Sequence, residues 1–156
     1  MSKNIIEFGN WNDFPIEWLV LEENETSLFL VSKEDLFDYC FNQNTNDGNS
    51  WSDSQIRHYL NTEFWDEAFS DEEKERVINT LLPVPNSTKD NVFLLSKAEA
   101  EEFLTNEERC LGMDWWLRNQ PLNNTNCSFF VDNEGKLSWN YVRYHYGIRP
   151  AIYIKK

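Results

Sequence analysis

The chain has 156 residues, 40% of them hydrophobic and 15% aromatic, which suits one domain, 1–156, built on a single sizeable core. Its formal net charge of −13 opposes direct binding of nucleic-acid phosphates, which needs a local excess of Lys and Arg, and points to a protein partner with a basic surface. No apolar run approaches the roughly 20 residues needed to cross a bilayer, and the first residues lack a signal-peptide core, so no membrane contact and a cytoplasmic location are expected.

In chain order, Ile5, Ile6 and Phe8, then Ile16, Trp18, Val20 and Leu21, with a turn-rich break at 9–15, and then residues 28–31 predict an opening antiparallel meander. Ser32 with Asp35 fits a Ser-x-x-acid start and predicts a short helix carrying Leu36, Phe37 and Tyr39. Residues 42–50 are rich in Asn and include Asp47-Gly48, the composition of an exposed loop. Three later helix starts are written in one device: Ser52 with Gln55 ahead of Ile56, Tyr59, Leu60 and Phe64; Ser70 with Glu73 ahead of Val77, Ile78, Leu81 and Leu82, stopped by Pro83; and Ser96 with Glu99 ahead of Ala100, Phe103 and Leu104.

Between the last two helices, Val92-Phe93-Leu94-Leu95 reads as a buried strand, and Trp115-Trp116-Leu117-Arg118 as another. Residues 129–131 and 136–139, joined through Asp132-Asn133-Glu134-Gly135, predict a β-hairpin. The closing run 147–154 predicts a final strand, with Pro150 placing it at an edge or a bulge because proline cannot donate a ladder hydrogen bond.

Arg118 and Arg149 fall among apolar neighbours. A guanidinium there keeps its charge, so carboxylates or carbonyls from elsewhere must meet it, and both are assigned a structural role with Trp51, Arg57, Trp115 and Trp116. The segment 141–146 is different, because tyrosine and arginine dominate protein interfaces. Tyr141, Arg143, Tyr144, His145 and Tyr146 are therefore candidate binding residues, joined by Asn123 and Asn124 and by Asn46 and Asp47 from two Asn-rich loops. The three cysteines, Cys40, Cys110 and Cys127, are odd in number and far apart, which suits free thiols in a reducing compartment. His58 and His145 show no spacing to a nucleophile, and the chain has no glycine-rich phosphate loop, Cys-x-x-Cys or His-Glu-x-x-His. No catalytic residue, metal ligand or cofactor is assigned.

Four ordered blocks resemble those of a bacterial domain family of unknown function: Trp51-Ser52-Asp53-Ser54-Gln55-Ile56-Arg57-His58-Tyr59-Leu60-Asn61, then 92–96, 115–118, and Gly147-Ile148-Arg149-Pro150-Ala151. Ile6-Glu7-Phe8-Gly9 and Ile16-Glu17-Trp18 fit as well. That family is similar to the C-type-lectin-like superfamily, which includes formylglycine-generating oxidases, sugar-binding lectins and hypervariable binding proteins. The resemblance implies an α+β fold: a C-type-lectin-like domain with a small twisted antiparallel sheet, two to three helices and long irregular loops that do the binding. It implies no activity, since the scaffold carries many.

The alternative on this fold is an enzyme or a metal-dependent lectin. The superfamily's calcium motifs are incomplete here: the first is interrupted, as Gln120-Pro121-Leu122-Asn123, and the second lacks its acid, as Trp139-Asn140-Tyr141. The oxidase chemistry needs two closely placed cysteines near the end of the chain, whereas Cys110 and Cys127 are seventeen apart and flank the Trp-Trp segment. The reading reached is a non-catalytic cytoplasmic binding module. Its sharper form is a small acidic inhibitor, phage-encoded and anti-defence in type, whose carboxylates occupy the basic nucleic-acid channel of a target protein.

Overall fold

The computed structural model describes residues 2–43, 50–83 and 87–156. The first third forms β1 (Ile5–Trp11), β2 (Phe14–Glu23), β3 (Ser27–Ser32) and β4 (Phe37–Cys40). A short 3-10 turn (Trp51–Asp53) leads into α1 (Gln55–Leu60), α2 (Glu63–Ala68) and α3 (Asp71–Arg76). Then come β5 (Thr80–Leu81), β6 (Lys89–Asp90), α4 (Lys97–Phe103), α5 (Asn106–Arg109) and β7 (Trp115–Trp116). The chain closes with β8 (Cys127–Val131), β9 (Leu137–Tyr141), β10 (His145–Ile148) and β11 (Ala151–Lys155).

The fold is α+β with mostly antiparallel sheets. A four-stranded sheet runs β1-β2-β3-β11, a five-stranded sheet runs β4-β10-β7-β8-β9, and β5 pairs with β6. The one parallel pairing among these strands sets Gly147 of β10 beside Trp115 of β7. This arrangement is compatible with the small twisted-sheet α+β domain that the resemblance implies, with the strands divided between a four-stranded and a five-stranded sheet. The β1–β2 turn is also tighter than the composition of 9–15 suggests, because Asn12 and Asp13 both take positive φ, 52° and 68°, and close a two-residue hairpin.

Several local expectations are corrected by long-range pairing. Residues 37–40 are strand, not helix: they pair antiparallel with β10, from His145 opposite Cys40 to Ile148 opposite Phe37, and the Ser32 hydroxyl donates to the Glu34 carbonyl at 2.7 Å instead of capping a helix. Phe37 and Tyr39, two apart, suit a strand face, and a partner more than a hundred residues away decides the matter. The cap of α1 is Ser54, which accepts from the Arg57 N–H at 3.1 Å, while Ser52 lies in the preceding turn. The capping boxes of α3 and α4 lie where expected, at Ser70 with Glu73 and Ser96 with Glu99. Thr105 with Glu108 adds another at α5. However, α3 stops at Arg76: the Ile78 N–H donates to the Tyr153 carbonyl at 2.8 Å and Val77 bridges Ile154, so β11 takes up the segment that reads as helix. Residues 92–95 are buried, but only Phe93 pairs, bridging Ala151.

The closing run is two strands in different sheets. Arg149 and Pro150 form the corner between β10 and β11, and Pro150 stands outside both ladders, its carbonyl accepting from the Ser32 N–H at 2.9 Å. The core continues across both sheets and includes Trp18, Phe29, Phe41, Trp51, Phe64, Phe93, Trp115 and Trp116. Each such aromatic contributes roughly 2 to 3 kcal/mol by leaving water.

Buried polar groups tie the layers together. Arg149 is 1% exposed. Its guanidinium donates to the carbonyls of Ser32 at 2.8 Å, Lys33 at 3.0 Å and Glu108 at 3.0 Å, and lies 4.8 Å from the Trp115 ring. Burial pushes its pKa down to about 10, against the pull of Glu108, Asp35 and Glu34. Arg118 donates to Glu99 at 2.6 Å and to the Leu94 carbonyl at 2.8 Å. Asp90 is buried and receives Trp51 Nε1 at 2.8 Å and Arg57 Nε at 2.7 Å, locking β6 to α1. No helix among the described residues is long and apolar enough to cross a membrane.

Candidate binding rim

The β8–β9 hairpin carries the candidate site, and its turn is fixed from both sides. Asp132 Oδ1 accepts from the N–H groups of Glu134 at 2.9 Å and Lys136 at 3.0 Å. Gly135 takes φ +86° where a Cβ would stand 2.8 Å from the Asn106 carbonyl, so only glycine seats the turn against α5. At the other end, Val142 is buried, donates to the Asn126 carbonyl at 3.0 Å and accepts from the Asn42 N–H at 2.9 Å. Clamping Val142 turns its neighbours outward.

The outward side chains form one cluster. Tyr141 is 50% and Tyr144 42% exposed, and between them the Arg143 guanidinium lies 5.7 Å from the first ring and 6.0 Å from the second. The Tyr144 carbonyl accepts from Trp116 Nε1 at 3.2 Å, which fastens the cluster to the core. Tyr146 is half-buried and works as a pillar: its ring lies 4.6 Å from Trp116 and 4.7 Å from Phe130, and its hydroxyl accepts from Asn140 Nδ2 at 2.7 Å. Burial raises its pKa, and the Asn140 bond opposes that. His145 is exposed on β10, with its ring 6.5 Å from that of Tyr39.

The two Asn-rich loops approach the same point. Asn42 and Asn126 both bond Val142, so the ends of residues 42–50 and 119–126 meet the 141–146 segment there. Asn123 is exposed with φ 64°, beside Leu122 at 93% exposure, and Asn124 is half-buried with its carbonyl accepting from the Cys127 N–H at 3.3 Å. Asn46 and Asp47 lie outside the described residues. Sequence reasoning passed over Trp139, which is 54% exposed and meets Phe129 edge-on at 6.1 Å. The signal was the alternation Leu137, Trp139, Tyr141, which puts three apolar side chains on one face of a strand.

Elsewhere, a groove of about 840 Å³ is lined by Asn42, Gln55, Arg57, His58 and Asn61, among others. Ser54 also lines it, but its hydroxyl donates to the Trp51 carbonyl at 2.8 Å and caps α1, so it is committed to structure. A second groove of about 610 Å³ includes Lys33, Glu34, Glu107, Glu108 and Arg149. There burial pushes the Glu108 carboxyl up, but the Lys3 ammonium at 2.6 Å and the Thr105 N–H outweigh it and hold its pKa below the usual range.

The interrupted lectin motifs are tied up locally. Asn140 Oδ1 accepts from the Tyr141 N–H at 2.8 Å, and Gln120 donates to the Thr125 carbonyl at 3.0 Å. Cys110 donates to the Asn133 carbonyl at the hairpin turn, whereas Cys127 opens β8 at the opposite end. Four strand steps, on the order of 13 Å, separate those ends, too far for both thiols to hold one metal ion. Among the described residues no three His, Cys, Asp or Glu side chains converge as a metal site.

A family profile described as "Domain of unknown function (DUF6273)" matches residues 24–156. No curated protein and no solved structure matches the chain.

Proposed function

The chain belongs to the DUF6273 family, and from the geometry above we propose that it is a non-catalytic protein-binding module whose docking surface is the rim of Tyr141, Arg143 and Tyr144. The observation that carries this reading is that cluster itself: two half-exposed tyrosines around an exposed arginine, on a backbone clamped by buried Val142. A preorganised aromatic rim loses little entropy on binding, so its area converts efficiently into affinity. His145, Asn123 and Asn124 stand beside it as adaptable polar contacts, and the fold is read as C-type-lectin-like, a scaffold that presents loops in this manner.

The partner is a protein with a basic surface. Glu63, Asp66, Glu67, Asp71, Glu72 and Glu75 are all exposed on α2 and α3, within a chain of net charge −13, and such a field steers a cationic partner. In its sharpest form the module is a cytoplasmic acidic inhibitor, phage-encoded and anti-defence in type, that covers a basic nucleic-acid-binding surface. The free thiols of Cys40, Cys110 and Cys127 suit a reducing compartment.

The test is capture from native cell extract on immobilised wild type and on Tyr144→Ala, with identification by mass spectrometry at low and high salt. A protein held by the wild type, lost from the equally stable variant and released as salt rises supports both halves of the reading. Equal capture by the two baits would remove the rim from the interface, and salt-independent capture would remove the basic partner.

A further inference from the structure

β9 is the outer strand of the five-stranded sheet. Its ladder with β8 dictates which backbone groups are already used. The Asp132 N–H donates to the Lys136 carbonyl at 2.7 Å at one end, and the Val142 N–H to the Asn126 carbonyl at 3.0 Å at the other. Antiparallel pairs alternate between bonded and non-bonded positions, so Ser138 and Asn140 bond β8, while Leu137, Trp139 and Tyr141 aim their N–H and C=O groups at the open edge. Tyr141 is satisfied within the chain, its N–H by Asn140 Oδ1 and its carbonyl by the Tyr144 N–H. Leu137 and Trp139 are left with two donors and two acceptors that have no partner among the described residues. The five residues of β9 contain no proline and no charge, and their register is unbroken, so nothing within the strand guards this edge.

We propose that a second copy of the chain adds its own β9 here, antiparallel about a two-fold axis at Ser138. In that register Leu137 of each copy faces Trp139 of the other, and four interchain hydrogen bonds use every one of the orphan groups. The internal sealing of Tyr141 selects this register over one centred on Trp139. Opposed residues share a face, so the exposed indole of Trp139 covers the half-buried Leu137 of the second copy and extends the Phe129–Trp139 strip.

Self-pairing goes beyond the proposed function and carries the opposite salt signature. Two chains of −13 repel each other, so added salt strengthens the dimer while it weakens binding to a basic partner. Sedimentation equilibrium of the purified full chain, across a concentration series at low and high salt, tests it. The expected result is a reversible dimer whose population rises with salt. Trp139→Pro deletes an edge donor that β8 does not use, and it should weaken dimerisation at least roughly tenfold with the melting temperature close to wild type. Trp139→Lys keeps the backbone donor, sets a charge against Leu137 and should have a similar effect, so the result does not depend on how proline is accommodated. A monomer under all conditions, or a dimer that both variants leave intact, would overturn the proposal.

Discussion

Arg149 and Arg143 stand six residues apart and have opposite surroundings. At the sheet corner, Arg149 is enclosed, donates to three carbonyls from two distant segments and lies over Trp115. On the rim, Arg143 is exposed and, among the described residues, meets the faces of Tyr141 and Tyr144. Residue type alone therefore says nothing about role; what separates the two is whether the fold has already spent the guanidinium's donors. The corner holds the two sheets together, whereas the Arg143 guanidinium of the proposed rim has no hydrogen-bond acceptor among the described residues.

Substitutions can break or sharpen that contrast. The largest effect is expected at the corner: Arg149→Leu leaves the carbonyls of Ser32, Lys33 and Glu108 buried without donors and should cost about 3 to 5 kcal/mol in denaturant unfolding. Arg118→Ala strands Glu99 and the Leu94 carbonyl, but Glu99 keeps some solvent, so about 2 to 3 kcal/mol is expected. Gly135→Ala probes the joint between rim and body. With φ at +86° and the Asn106 carbonyl 2.8 Å from the new Cβ, about 2 kcal/mol should be lost, and the rim should shift with the turn. On the rim itself, Tyr144→Ala and Arg143→Ala should change stability by less than about 0.5 kcal/mol.

A separate effect concerns pH. Burial, then the charges of Glu99 and Glu22, push the Tyr153 phenol up to about 12. A raised pKa means that the folded state favours the neutral phenol, so this stabilisation is complete below pH 10 and is lost as pH rises toward 12. Arg149 works in the opposite sense, because its lowered pKa relieves a burial cost as pH climbs past about 10. Comparing wild type with Tyr153→Phe isolates the first effect: the variant should gain on wild type only across that alkaline window.

Much of the local punctuation was legible in the sequence. Ser70 with Glu73 and Ser96 with Glu99 marked helix starts correctly because a capping box is self-contained within four residues. The β8–β9 hairpin was legible for a similar reason, since its turn chemistry is local. Where expectation failed, a distant segment decided. Residues 37–40 became strand because β10 supplied a ladder, and 77–78 left their helical pattern because β11 accepted them. The break at Arg149 and Pro150 was hidden because a strand that changes sheets has the same composition as one that does not. The 141–146 segment was visible as a candidate by residue type, but alternation alone did not identify Tyr146 as a pillar or Trp139 as part of an open edge.

The contrast between corner and rim is tested most directly by measuring unfolding free energy and partner capture together for Arg149→Leu and Arg143→Ala. The prediction is a crossed result: the first variant loses several kcal/mol, whereas the second melts like wild type and fails to hold the partner. If Arg143→Ala retains the partner while staying folded, or if Arg149→Leu is as stable as wild type, the division of labour between the two arginines is wrong.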